Sequence, residues 1–161
     1  MLLKAKLFGE KGISLIEIVV GIALFSIIVG LSVPMYRSVY SKNSLDTSVS
    51  QLLHNIRLAQ SRSVNGEGGI EHGVHIDSSS VPNRYILFKG SEFNASSDAN
   101  EVFAISNQIK FTDINLEGGG VDIIFNKYSG GTDTYGSLTL LDLSGESLTI
   151  SINKLGTTDV Q

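Results

Sequence analysis

The sequence predicts an α+β protein. A long N-terminal helix that spans a membrane continues into an amphipathic stem, and the stem packs against a C-terminal antiparallel β domain of two sheets. Three observations predict this order: a long apolar run near the N-terminus, apolar residues at helical spacing after it, and short β-rich runs separated by glycine turns. The predicted parts are a leader at 1–12, an apolar helix at 13–34, a stem at 35–64 and a β domain at 65–161.

Composition and charge limit the classes of function. The chain has 161 residues, a net charge of −4 and no cysteine. The β domain therefore depends on core packing without a disulfide framework, and no thiol nucleophile or Cys-based metal site is available. Charge is uneven, with a net +2 over residues 1–12, +3 over 35–64 and −8 from Asn65 onward. The acidic β domain argues against DNA as a partner, because phosphate binding needs clustered Lys and Arg.

The run from Ile13 to Met35 carries a single charge, Glu17. As a helix it would measure about 34 Å, which matches the core of a bilayer; a buried core helix is the alternative. Lys4, Lys6 and Lys11 precede the run, which predicts a cytoplasmic N-terminus. We therefore expect a single-pass protein of the inner membrane, with the lipid bilayer as a partner and the C-terminal domain outside the cytoplasm.

Glu17 is costly inside an apolar helix unless it is paired. The clearest break in the sequence lies before the apolar run, between Gly12 and Ile13 in "EKGIS". A chain cut there would carry Glu17 about 6 Å along the helix axis from its new α-amine. The α-amine of a neighbouring copy could then pair with Glu17 and set the register between the two chains.

These residues resemble the type IV pilin and type II secretion pseudopilin superfamily. The family signature is a short basic leader ending in Gly, an aromatic or aliphatic residue, Ser or Thr, Leu, an aliphatic residue, Glu and a long apolar helix. The corresponding residues are Gly12, Ile13, Ser14, Leu15, Ile16 and Glu17, followed by "IVVGIALFSIIVGLSVP". The resemblance implies cleavage after Gly12 by a prepilin peptidase, N-methylation of Ile13 and a helix kink at Pro34. It also implies assembly with other pilin or pseudopilin subunits into a filament at an inner-membrane assembly platform.

The C-terminal part is similar to the H-type minor pseudopilins and related minor pilins. The similarity lies in "LLHNIRLAQSRSV", "VDIIFNKYSGGTD" and "LTISINKLGTTDV". These segments would be a helix end, a strand with a Gly-bearing turn, and a last strand followed by Gly. The resemblance implies a minor subunit of the filament.

Beyond Pro34, which removes a backbone donor and predicts a kink, apolar residues form a helical stripe. Its members are Leu45, Val49, Leu52, Leu53 and Ile56. This spacing is typical of a helix with one buried face, and the helix is expected to end near Val64, before "NGEGG". Basic residues on the other face of the stem are either solvated or contact other subunits.

Seven short runs after Gly69 have the composition of strands. They are "GVHI", "RYILFKG", "EVFAIS", "IKFTDINL", "VDIIFNKY", "SLTLLDL" and "SLTISINKLG". Turn sequences such as "SSSVPN", "EGGG" and "SGGTDTYG" separate them, and "DLSGESLTI" predicts a tight hairpin. We expect antiparallel sheets that cover the apolar stripe of the stem.

Residues that could carry chemistry form no recognisable site. His72 and His75 lie three apart in a predicted strand and point to opposite faces, so no metal site is expected, and both are interpreted as surface residues. Ser151 and Lys154 fit the Ser-x-x-Lys pattern only by their letters. No P-loop, nucleophile elbow or dinucleotide fingerprint is present in the sequence, so we expect neither an enzyme nor a cofactor.

The sequence thus predicts a structural minor pilin or pseudopilin subunit of a type II secretion pseudopilus or a type IV pilus. The alternative is a pilus-tip binding module for DNA uptake or adhesion, in which the same N-terminal helix carries a binding head. DNA is the less favoured ligand because of the acidic β domain.

Overall fold

The computed structural model describes residues 12–161, with the backbone alone at 31–42. Contacts divide the chain into a unit that ends at Arg37 and a second unit, Ser38–Gln161. The elements are α1 (Leu15–Val64), a short 3-10 helix (Glu67–Gly69), β1 (His72–Asp77), β2 (Arg84–Lys89), β3 (Glu101–Ala104), β4 (Ile109–Leu116), β5 (Asp122–Phe125), β6 (Gly136–Asp142), β7 (Ser147–Ile152) and β8 (Thr158–Val160).

The first part of α1 corrects the predicted fold class. Within the residues that the structure describes, no helix combines the length and apolar character needed to cross a membrane. The predicted membrane-spanning helix is therefore wrong, and so is the predicted single-pass location in the inner membrane.

The β domain consists of two four-stranded antiparallel sheets. The strand order is β3-β2-β1-β5 in the first sheet and β4-β6-β7-β8 in the second. All seven runs with strand composition contain a strand, and the β6–β7 hairpin lies at the predicted "DLSGESLTI". The strand β8 was not predicted. It has only three residues and pairs with β7 through Ile150 opposite Val160.

The apolar stripe on α1 is buried by the two sheets. Leu52, Ile56 and Ala59 are fully buried, and Leu45 is 2% exposed. These side chains share one core with residues of the first sheet, such as Ile123, and of the second sheet. Each large side chain removed from water in this way contributes about 1.5–3 kcal/mol. The predicted buried face of the stem is confirmed.

Polar contacts hold the C-terminal end of α1 against the loops of the β domain. The Gln60 side-chain amide donates to the carbonyl oxygens of Gly130, at 2.9 Å, and Leu155, at 3.2 Å. The backbone N–H of Tyr128 donates to the carbonyl oxygen of Ser63 at 2.9 Å. The bond from Tyr128 satisfies a carbonyl group at the helix end, and the bonds from Gln60 hold the two loops against the same helix.

A loop covers part of the outer face of the first sheet. The ring of Phe93 stacks on His75, with 3.8 Å between ring centroids, and meets Phe88 edge-on at 5.6 Å. Gly73 lies beneath Phe88, since a Cβ atom at Gly73 would be 2.6 Å from the Phe88 ring. The first sheet is therefore packed on both of its faces.

Substitution of Gly73 by Ala tests this packing. The new Cβ would also lie 2.7 Å from the carbonyl oxygen of Ile123, so strand backbone must shift, and we expect a loss of about 1–3 kcal/mol in the free energy of unfolding. The measurement is urea denaturation followed by circular dichroism. The control is Gly120→Ala, whose Cβ would meet only Asp122 N at 3.9 Å. Equal unfolding midpoints for the two variants would contradict the close approach at Gly73.

Candidate functional site

The N-terminal segment, defined here as Ile13–Val29, exposes its large apolar side chains. They are Ile13, Leu15, Ile16, Ile18, Val19, Val20, Ile22, Leu24, Phe25, Ile27, Ile28 and Val29. Exposure ranges from 47% at Val29 to 80% at Leu15. A contiguous apolar surface of this kind marks an interaction site, because monomeric soluble proteins rarely leave one open to water.

Polar groups in the N-terminal segment are few, and the Ser26 hydroxyl turns back on the helix. It donates to the carbonyl oxygen of Ile22 at 2.8 Å, so its proton is used within the helix. A Cβ atom at Gly21 or Gly30 would meet nothing within 4 Å. Because Gly21, and Gly30 just beyond the segment, have no side chain, a second helix can approach the backbone closely at these positions.

Glu17 is the single acidic residue of this segment and lies in the first turn of α1. The backbone N–H groups of Glu17 and Ile18 both donate to the carbonyl oxygen of Ser14, at 3.0 and 3.2 Å, and so begin the helix. A carboxylate is favoured at this end by the helix dipole. Among the residues that the structure describes, Glu17 forms no ion pair. The carboxylate is therefore exposed and open to a cation from another chain.

The predicted cleavage point lies just before α1. Gly12, Ile13 and Ser14 are exposed and outside regular secondary structure, a backbone state that a peptidase can bind in extended form. The structure thus places Gly12, Ile13 and Glu17 within one short stretch. The rest of the leader, residues 1–11, lies outside the described residues. Pro34 lies within the backbone of α1, and the kink there stays a prediction.

The two histidines of β1 point to opposite faces of the first sheet, as predicted. His75 is hydrogen-bonded through Nδ1 to Asp122 Oδ1 at 2.6 Å, because β1 and β5 place these residues opposite one another. Within the described part of the chain, no three His, Asp or Glu side chains come together as ligands for a metal ion. Ser151 and Lys154 do not meet either, since the Lys154 ammonium lies over the ring of Tyr135.

His72 was interpreted as a surface residue, and this is wrong. It is fully buried, and neither ring nitrogen has a hydrogen-bond partner in the described chain. Burial lowers the pKa of His72 from its ordinary value of 6.5, because the charged imidazolium loses its water. Lys89 and Arg62 lower the pKa further, and Glu67 opposes them. The sequence signal was present, since His72 shares its strand face with the apolar Val74 and Ile76.

Comparison with protein-family models, with curated proteins and with solved structures gives no match for this chain. The features of the chain that indicate a function are therefore the motif from Gly12 to Glu17 and the exposed apolar side chains of the N-terminal segment.

The buried His72 predicts a pH dependence of stability. Well above pH 6.5 the ring is neutral in both the folded and the unfolded chain, and its contribution to stability is constant. Below pH 6.5 the unfolded chain binds a proton first, so the free energy of unfolding falls, by at most about 1.4 kcal/mol per pH unit for one proton.

Denaturation midpoints between pH 7.5 and 5 measure this effect. His72→Leu should remove the additional loss below pH 6.5, whereas His54→Leu, on the exposed face of α1, should keep it. The same pH profile for wild type and His72→Leu would contradict a neutral buried ring.

Proposed function

We propose that this chain is a structural subunit of the pilin or pseudopilin type, serving as a minor component of a type II secretion pseudopilus or a type IV pilus. The observation that carries the proposal is the N-terminal segment, whose apolar side chains are exposed around a helix that begins with one carboxylate, Glu17. Such a surface needs other chains to cover it, and subunits that share it can cover one another.

Processing would prepare the segment for assembly. Cleavage after Gly12 by a prepilin peptidase releases an α-amine on Ile13, which N-methylation leaves as a cation. The amine of one subunit then pairs with Glu17 of a neighbour. In apolar surroundings an unpaired charge costs several kcal/mol. This penalty for a subunit that is out of register exceeds the net stability that the ion pair adds to a subunit in register.

The form of the contact predicts a filament. One part of the N-terminal segment, near Ile13, meets a different part of the neighbouring segment, near Glu17. A contact between two different surfaces does not close on itself and repeats as an open helix. An assembly platform and other pilin-like subunits are the partners that this role requires.

The alternative, a tip module that binds DNA, receives less support from the arrangement of cations. Arg62 pairs with Glu101 at 2.6 Å, and Arg84 pairs with Asp77 at 2.7 Å. Lys89 lies 3.3 Å from Glu67. Phosphate binding requires cations that are free to face the backbone of the nucleic acid, and these three basic residues already face carboxylates.

Glu17→Gln should lower incorporation of the chain into filaments while leaving the β domain folded. The exchange keeps the size of the side chain and removes the charge that receives the neighbouring amine, so we expect at least a tenfold loss, about 1.4 kcal/mol. The measurement is the fraction of tagged subunit recovered in sheared filaments. Glu92→Gln, the same exchange on an exposed loop of the β domain, is the control. Normal incorporation of the Glu17 variant would remove the pairing argument.

Gly12→Val should block removal of the leader, because a branched side chain next to the scissile bond obstructs the peptidase. The chain is co-expressed with a prepilin peptidase, and the mature N-terminus is determined by mass spectrometry. We expect wild type and the control Gly9→Val to begin at Ile13 and the Gly12 variant to keep Met1. A different first residue in the processed wild type would overturn the cleavage assignment.

A further inference from the structure

The free edge of β3 carries backbone groups for which the described residues provide no hydrogen-bond partner. β3 pairs with β2 on one side, with Phe103 opposite Tyr85 and Val102 opposite Ile86. The N–H of Ile105 donates to the carbonyl oxygen of Asn83 at 2.9 Å, so residues 103 and 101 also bond inward. The alternation of an antiparallel ladder then directs the N–H and C=O of Val102 and Ala104 away from the sheet.

The other described edges are closed or short. At the edge of β5 the N–H of Ile124 donates to Thr134 Oγ1 at 3.0 Å. At the edge of β4 the N–H of Phe111 donates to Asn83 Oδ1 at 3.0 Å, and the register shifts beside it. β8 has three residues. Among the residues that the structure describes, β3 is therefore the edge most open to another strand.

The side chains of β3 also lack the features that protect an edge. Residues 102–104 contain no charge and no proline, and Val102 is 57% exposed. Edges of natural sheets are usually blunted by charged residues, proline or bulges. The neighbouring acid, Glu101, is already neutralised by Arg62 at 2.6 Å. Within β3 as described, the single charged residue is therefore compensated.

We propose that β3 pairs with β3 of a second copy of this chain, in antiparallel orientation about a two-fold axis at Phe103. In this register Val102 faces the partner subunit's Ala104, and Ala104 faces the partner subunit's Val102. Each pair exchanges two hydrogen bonds, so the outward N–H and C=O groups of both residues are satisfied in both copies. Shifting the axis to Val102 would leave Ala104 opposite position 100, which lies outside the strand.

This self-complementarity favours a second copy over an unrelated strand. Phe103 already stacks on Tyr85, with 5.3 Å between ring centroids, and the two-fold axis brings the two Phe103 residues together in a close, non-hydrogen-bonded pair. The two first sheets join as one sheet of eight strands. The contact is isologous, so it stops at two copies, and it uses no residue of the N-terminal segment.

Engineered cysteines test the pairing, because the natural chain has none. In the proposed dimer, position 103 of one copy lies opposite position 103 of the other, with about 4.5 Å between their Cα atoms. Two cysteines introduced by Phe103→Cys would therefore lie within disulfide range. We expect a disulfide-linked dimer when the purified full chain is oxidised mildly in detergent, read on a non-reducing gel. The control is Val160→Cys on the edge strand β8, where the Val160 side chain is 36% exposed, and it should form at least tenfold less dimer. A folded Phe103→Cys chain that forms no more dimer than the control would overturn the proposal.

Two further variants keep the test independent of the Phe103 side chain. Chains with Val102→Cys and chains with Ala104→Cys should crosslink when mixed and far less when each is oxidised alone, because only the mixture places cysteines opposite one another. Adding Val102→Pro to Phe103→Cys removes one outward N–H without touching a bond to β2, and should reduce the dimer about tenfold. Equal crosslinking of mixed and separate chains, or no effect of the proline in a folded chain, would overturn the two-fold register. Neither result bears on filament assembly, which is measured through Glu17.

Discussion

The burial of one apolar face of α1 between two sheets is the interaction on which the β domain depends. The side chains of Leu45, Val49, Leu52, Ile56 and Ala59 are almost completely removed from water, and they share one core with strands of both sheets. Neither sheet has another helix to cover its inner face among the described elements. The polar contacts of Gln60 and Ser63 fix the loops at the end of the helix. These contacts help to position the sheets but bury little apolar surface.

Apolar side chains in the N-terminal segment must also be removed from water, and this requirement is the basis of the proposed function. The large apolar side chains of this segment are exposed in the described chain, whereas those of the core are buried. A hydrophobic surface of this size is stable in water only when something covers it. A membrane was the first expectation from the sequence, but no described helix is long and apolar enough to cross one. Other copies of the segment, registered by Glu17, remain the proposed cover.

Much of the β domain could be predicted because its signals are local. The helical spacing of Leu45 and Ile56 identified the buried face, and glycine-rich turns separated seven of the eight strands. β8 was missed because three residues carry no measurable alternation. The burial of His72 and the position of Phe93 over His75 depend on how distant segments meet. Strand order depends on the same long-range contacts, so the open edge of β3 could not be found from the sequence.

The membrane prediction failed for a related reason. The composition from Ile13 to Met35 is apolar and predicts a membrane helix, whereas no helix among the described residues is long and apolar enough to cross a membrane. Glu17 lies in the first turn of a helix, and Gly12 lies in exposed, irregular backbone before it. Cleavage after Gly12 and pairing of Glu17 stay predictions.

The pairing between a freed N-terminus and Glu17 is tested most directly by zero-length crosslinking. Filaments assembled from a mixture of isotope-labelled and unlabelled chains are treated with a carbodiimide, digested and analysed by mass spectrometry. An amide bond between the α-amine of Ile13 and the carboxylate of Glu17, joining one labelled and one unlabelled chain, is the predicted product. Filaments in which Glu17 forms no such link, while other amine–carboxylate pairs are joined, would contradict the account.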